Sequence, residues 1–169
     1  LLRRVHRGVY VSTSADHATR LRAISVWQPD AVVVGRHAVA VLRNETIPNS
    51  KPEVICPRRQ RAQAGVVLKT QVLPRDRVRR VAGIQIAGPA YLAIEASSTD
   101  GGDLMDDMLR LGLAEPDDFQ EALASFIGRP AAAQRRRRVR EGALRPFSKA
   151  ERRTHALLRK AGITGWVAN

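Results

Sequence analysis

The residues able to do chemistry are scattered along the chain. The four histidines, His6, His17, His37 and His155, fall in four separate segments, and none joins a cysteine or a second histidine at zinc-binding spacing. Cys56 is the only cysteine, which excludes an internal disulfide and a multi-cysteine metal site. Set in an apolar run before Pro57, it reads as a small buried hydrophobe. No serine sits in a Gly-x-Ser-x-Gly elbow, so nucleophilic hydrolysis has no support. The stretch Gly83-Ile84-Gln85-Ile86-Ala87-Gly88 has the glycine spacing of a phosphate loop. Pro89 and Ala90 stand where Lys and Ser or Thr would hold phosphate and magnesium, so it reads as strand and turn. Glu151 completes the capping box Ser148-Lys149-Ala150-Glu151, and its carboxylate has a second reading as an outlying group near a metal. His155, one helical turn later, shares that face.

Arginine carries the stronger signal. The 169 residues hold 29 Lys and Arg against 16 Asp and Glu, a net charge of +13, and 25 of the cations are Arg. GC-rich codons can produce part of that bias. The distribution says more: net +6 over 1–60, +4 over 61–95, −6 over 96–130 and +9 over 131–169. Basic flanks draw a polyanion by counterion release, while the acidic middle faces away or docks on a basic partner. Double-stranded DNA is the leading partner class. Leu1 to Val11 alternates apolar and basic residues around Gly8, as a hairpin with one wet basic face does. Arg3, Arg4 and Arg7 are its candidate phosphate contacts, with charge protecting an edge strand as the alternative. Arg135, Arg136, Arg137 and Arg138 form a second candidate contact, with a solvated basic helix or linker as the alternative; Arg140 extends the same face.

Elements must position these side chains. Ser14 or Asp16 caps a helix to about Trp27 with Leu21 and Ile24 on one face, and Ala31–Val34 leads into a short helix, 36–42. A turn-rich break at 45–52 marks a domain seam. Short β-branched runs at 53–57, 66–72 and 84–86 suggest a small sheet. Pro89 opens a helix; Leu104, Met108 and Leu111 recur at helical spacing in a second; Pro116-Asp117-Asp118 opens a third with Phe119, Leu123 and Phe126 as its stripe. The capping box starts a last helix whose apolar face is Thr154, Leu157, Leu158 and Ala161, and a strand begins at Ile163–Val167.

The fold class is therefore α/β (α+β), with an aliphatic core because aromatics are only 4%. No uncharged apolar run approaches the roughly 20 residues of a spanning helix, which excludes a membrane role. A single cysteine suits a reducing, cytoplasmic setting. The chain starts at Leu1 and stops inside an element, so it reads as a fragment.

Taken in order, the hairpin, the strand-turn-helix Val81 to Glu95 and the capping-box helix resemble the AbiEi family of antitoxins. The narrower likeness is to members ending in a very-short-patch-repair (Vsr)-type endonuclease domain. The resemblance implies three regions: 1–45, the wing hairpin of a winged helix and the helices after it; 46–130, an AbiEi-like α/β region; 131–169, a basic linker and the start of a Vsr-like domain. It departs from the family at Ala87 and Leu92, where threonines are usual, and at Glu95, where aspartate is usual. It implies a DNA-binding antitoxin and transcriptional autorepressor, with a cognate toxin as a possible partner. In the Vsr likeness Glu151 matches a glutamate near the metal site, and Mg would be the cofactor of a complete nuclease domain, whose other carboxylates would follow Asn169. No cofactor is expected in the chain itself. Two rivals follow: part of a Vsr-like DNA endonuclease, and an interaction module that binds a basic toxin through acidic helices 100–127.

Overall fold

A computed structural model describes residues 1–61, 65–143, 146 and 148–166. The chain is mixed α/β and divides into two compact units, Leu1–Gly88 and Pro89–Asn169. The division falls at Gly88, and the 45–52 break lies inside the first unit.

The first unit is built on a five-stranded mixed sheet and a separate two-stranded hairpin. The hairpin strands are β1 (Leu2–His6) and β2 (Val9–Ser12). Helix α1 (His17–Trp27) follows, its N-cap Asp16 accepting from the Thr19 amide at 2.7 Å. Val32, Val33 and Val34 form β3, and all three are buried. β-branched side chains suit a strand covered on both faces. Each fully buried Val contributes about 1.5–3 kcal/mol, so this tripeptide anchors the sheet. Helix α2 (Gly35–Leu42) leaves β3 directly and buries His37, Ala38 and Ala40.

Strand β4 (Glu53–Cys56) runs antiparallel to β3, with Val33 opposite Val54, and β5 (Val67–Thr70) runs parallel to β4. β6 (Val78–Val81) and β7 (Ile84–Ala87) form a second hairpin, and β7 lies parallel to β3. The strand order is β5-β4-β3-β7-β6. Ala82 and Gly83 turn this hairpin at φ of 48° and 80°, the left-handed pair a two-residue loop requires. The sequence reading missed β6, because Arg79 and Arg80 inside Val78–Val81 look like loop chemistry although an edge strand tolerates them.

The second unit is helical. α3 (Pro89–Ala96) buries Tyr91, Leu92, Ala93 and Ile94. It packs against α4 (Asp103–Arg110) and α5 (Pro116–Leu123). The α5 start is a capping box between Glu115 and Asp118, and a 3-10 turn at Ala124–Phe126 sets the Phe126 ring 4.8 Å from Tyr91. α6 (Ala132–Gly142) packs on α5, and α7 (Lys149–Lys160) follows with Ser148 as N-cap.

Three expectations need correction here. Leu111 lies beyond α4 and is 46% exposed. The inward face of α7 is polar: Arg152 and His155 are buried while Leu157 is exposed, because Arg152 reaches Asp103 and Asp106 and the His155 ring packs, tilted by 32°, against Trp166. Residues Ile163–Trp166 are not a strand; Trp166 folds back, its Nε1 donating to the Ile163 carbonyl at 3.2 Å. Val167 lies outside the described residues.

Candidate nucleic-acid interface

Arg3, Arg4 and Arg7 are exposed on the first hairpin, and among the described residues none of the three forms an ion pair with a carboxylate. The ladder explains how. Arg4 pairs with Tyr10 and His6 pairs with Val9, so two steps on β1 match one step on β2, and Val5 is the extra residue. The bulge puts Arg4 and His6 on opposite sides of the ribbon although they are two residues apart. Leu2, Arg4, Tyr10 and Ser12 share the wet side. On the other side, which Arg3 shares as the partner of Val11, Val11 is buried and the His6 ring stacks on Trp27 of α1 with centroids 4.7 Å apart and planes 17° apart. Arg3 and Arg4 are therefore both exposed but do not form the single basic face expected from the alternation. A lone two-stranded ribbon is marginal in water, so this packing on α1 is what holds the arginines in place. Arg4 donates from Nε to the His6 carbonyl at 3.3 Å.

The second arginine group is arranged differently. Arg135 turns inward: Nε donates to the Ile94 carbonyl at 3.1 Å, Nη2 to the Ser98 hydroxyl at 3.1 Å, and Nη1 to the Pro130 carbonyl. Its guanidinium lies 4.8 Å from the centre of the Phe126 ring. Carbonyls at the end of α3 have no partner within that helix, so Arg135 caps it. Arg137 and Arg138 both bind Glu141, at 2.8 and 2.7 Å. Burial pushes the Glu141 carboxyl up, but these two hydrogen bonds outweigh it and hold it below the usual range. Arg136 and Arg140 are exposed. The helix therefore does not present four arginines on one face.

Glu151 is half-buried at the start of α7, where its backbone amide donates to the Ser148 hydroxyl at 3.2 Å and that hydroxyl donates to Glu151 Oε1 at 3.3 Å. Among the described residues no group of three or more His, Cys, Asp or Glu could hold a metal ion. No helix among them is long and apolar enough to cross a membrane. The acidic middle is largely engaged. Asp100 accepts from the Gly102 and Leu104 amides, Asp103 pairs with Arg152, Asp107 pairs with Arg110, and Asp118 closes the α5 cap.

Sequence reasoning set the histidines aside because their linear spacing carries no pattern. The fold gathers three of them, His6, His17 and His37, with Arg20 and Lys51 around one cleft beside the hairpin. No local signal points to that assembly, since the five come from four segments. Comparisons with protein-family models, curated proteins and solved structures found no match.

Proposed function

We propose that this chain binds double-stranded DNA through its N-terminal unit, as a DNA-binding antitoxin and autorepressor of the AbiEi type. One observation carries the DNA reading: three exposed arginines, free of carboxylate partners among the described residues, project from a ribbon anchored by the His6–Trp27 stack. Charge supports it. Residues 1–88 hold 16 Lys and Arg against 5 Asp and Glu, net +11, whereas 89–169 hold 13 against 11, net +2. The antitoxin part rests on the motif order, and the wing assignment of the hairpin belongs to the same proposal. Contacts of this kind go to phosphates and carry no base code. Arg135, Arg137 and Arg138 are left out of the interface because their guanidinium groups serve internal partners.

The test is duplex binding by fluorescence anisotropy across a salt series. Affinity should fall steeply with salt, and Arg3→Gln, Arg4→Gln and Arg7→Gln together should reduce the log–log slope by about three, roughly one for each phosphate no longer neutralised. An affinity unchanged between low and moderate salt overturns the reading.

A further inference from the structure

A cleft of about 430 Å³ opens in the N-terminal unit between the hairpin, α1 and the turn at 47–52. That volume lies in the range of small-ligand sites. Four cationic residues line it, Arg3 and Arg4 from β1, Arg20 from α1 and Lys51 from the turn, and no Asp or Glu is among the described residues lining it. The ladder turns Arg4 to the other side of the ribbon from His6, which leaves Arg3, Arg20 and Lys51 as the cations on the cleft side. The nearby carboxylates are otherwise engaged: Asp16 caps α1, and Glu53, which acts on His37 through its charge, pairs with Lys69. Cations gathered around a concave wall without counter-charge focus a positive potential into it.

His6 Nδ1 and Arg20 Nε, on two of the lining residues, have no hydrogen-bond partner, but both atoms are closed to solvent and so lie behind the cleft surface. His37 closes the opposite wall: its Nε2 lies 3.2 Å from the Pro48 carbonyl and 3.0 Å from the Ser50 carbonyl. Both partners only accept, so that nitrogen carries the hydrogen and pins the turn that bears Lys51.

We infer that this cleft binds a phosphoryl anion, held by Arg3, Arg20 and Lys51. A phosphoryl group brings the charge and the several acceptor oxygens that such a donor set takes. The group can come from a small phosphorylated molecule or from a nucleic-acid backbone. The inference goes beyond the ribbon interface, since Arg7 has no part in the cleft.

Trp27 reports on it, being stacked on His6. The chain has two tryptophans, and Trp166→Phe leaves Trp27 as the sole reporter. The full chain carrying that substitution would be titrated with inorganic phosphate, with adenosine monophosphate and with a short DNA duplex. Phosphate and the nucleotide should each give a saturable change in Trp27 emission. Arg20→Gln and Lys51→Gln should each weaken phosphate binding roughly tenfold, while Arg136→Gln, an exposed arginine of the other unit, leaves it unchanged. Lys51 is exposed, so its variant carries the test if Arg20→Gln fails to fold by circular dichroism. No saturable response to phosphate or nucleotide, or a response indifferent to both substitutions, overturns the inference. Duplex binding without a phosphate response overturns the cleft and leaves the ribbon reading standing; phosphate binding without duplex binding does the reverse. A phosphate titration displaced by bound duplex identifies the backbone as the source, and an undisplaced one identifies a free phosphorylated molecule.

Discussion

Asp106 is the residue whose environment most alters its chemistry. It is 3% exposed on α4, and Arg152 Nη2 forms an ion pair with its Oδ2 at 3.2 Å, but neither carboxylate oxygen has a hydrogen-bond partner. Burial pushes its pKa up to about 7; Arg152 opposes the rise, and Asp103, Asp107 and Asp100 add to it. Between the ordinary value of 3.8 and about 7 the folded chain keeps a proton that the unfolded chain has released. Stability from this group is therefore full at low pH and declines as pH rises through that window. Urea midpoints measured across the window should fall with pH, and Asp106→Asn should flatten the decline. Arg135 gives a second outcome at this scale. Arg135→Ala strips the cap from α3 and should lower stability by about 1–3 kcal/mol, whereas Arg136→Ala, on the exposed side, should change it by less than about 0.5 kcal/mol. Denaturant melts of the two variants check this.

The hairpin is the element on which the functional reading stands, and its hold on α1 runs through Trp27. Trp27→Ala removes the stack beneath His6 and should let the ribbon open on its own, seen as faster amide hydrogen exchange at Val9 and Val11 than at Val33 in β3. Such elements were legible in the sequence wherever local chemistry dictates them. Asp16 and Ser148 cap helices as their types require and Pro116 opens α5, whereas Val32–Val34, read only as the lead into a helix, is the central strand β3, since three residues are too short to show a strand's period. The inward face of α7 was not legible. Periodicity favours Leu157, but the unit offers Asp103 and Asp106 where α7 packs, and a buried ion pair wins the face for Arg152. Gly102 fits that choice: its φ is +95° and a Cβ there would collide with the Arg152 guanidinium. The cleft was invisible for another reason, since its histidines come from β1, α1 and α2, separate elements whose linear spacing carries no common pattern.

On the scale of the whole molecule, charge and fold divide together. The unit bearing the sheet holds nearly all of the net positive charge, and the helical unit neutralises its own arginines with its own carboxylates. If polyanion binding follows this division, Arg136→Gln with Arg140→Gln should shift the salt slope of duplex binding by less than about one, against about three for the hairpin variant. Anisotropy titrations of both variants in the same salt series measure the difference.

The supernumerary residue at Val5 also sets how the gene can tolerate change. Removing Val5 would restore an unbroken ladder and keep Arg4 and His6 on their present sides. Losing any one of Leu2, Arg3 or Arg4 instead would invert the sidedness of whatever precedes the lesion. In-frame codon deletions along this strand should therefore be unequal in effect, with the one at Val5 the mildest.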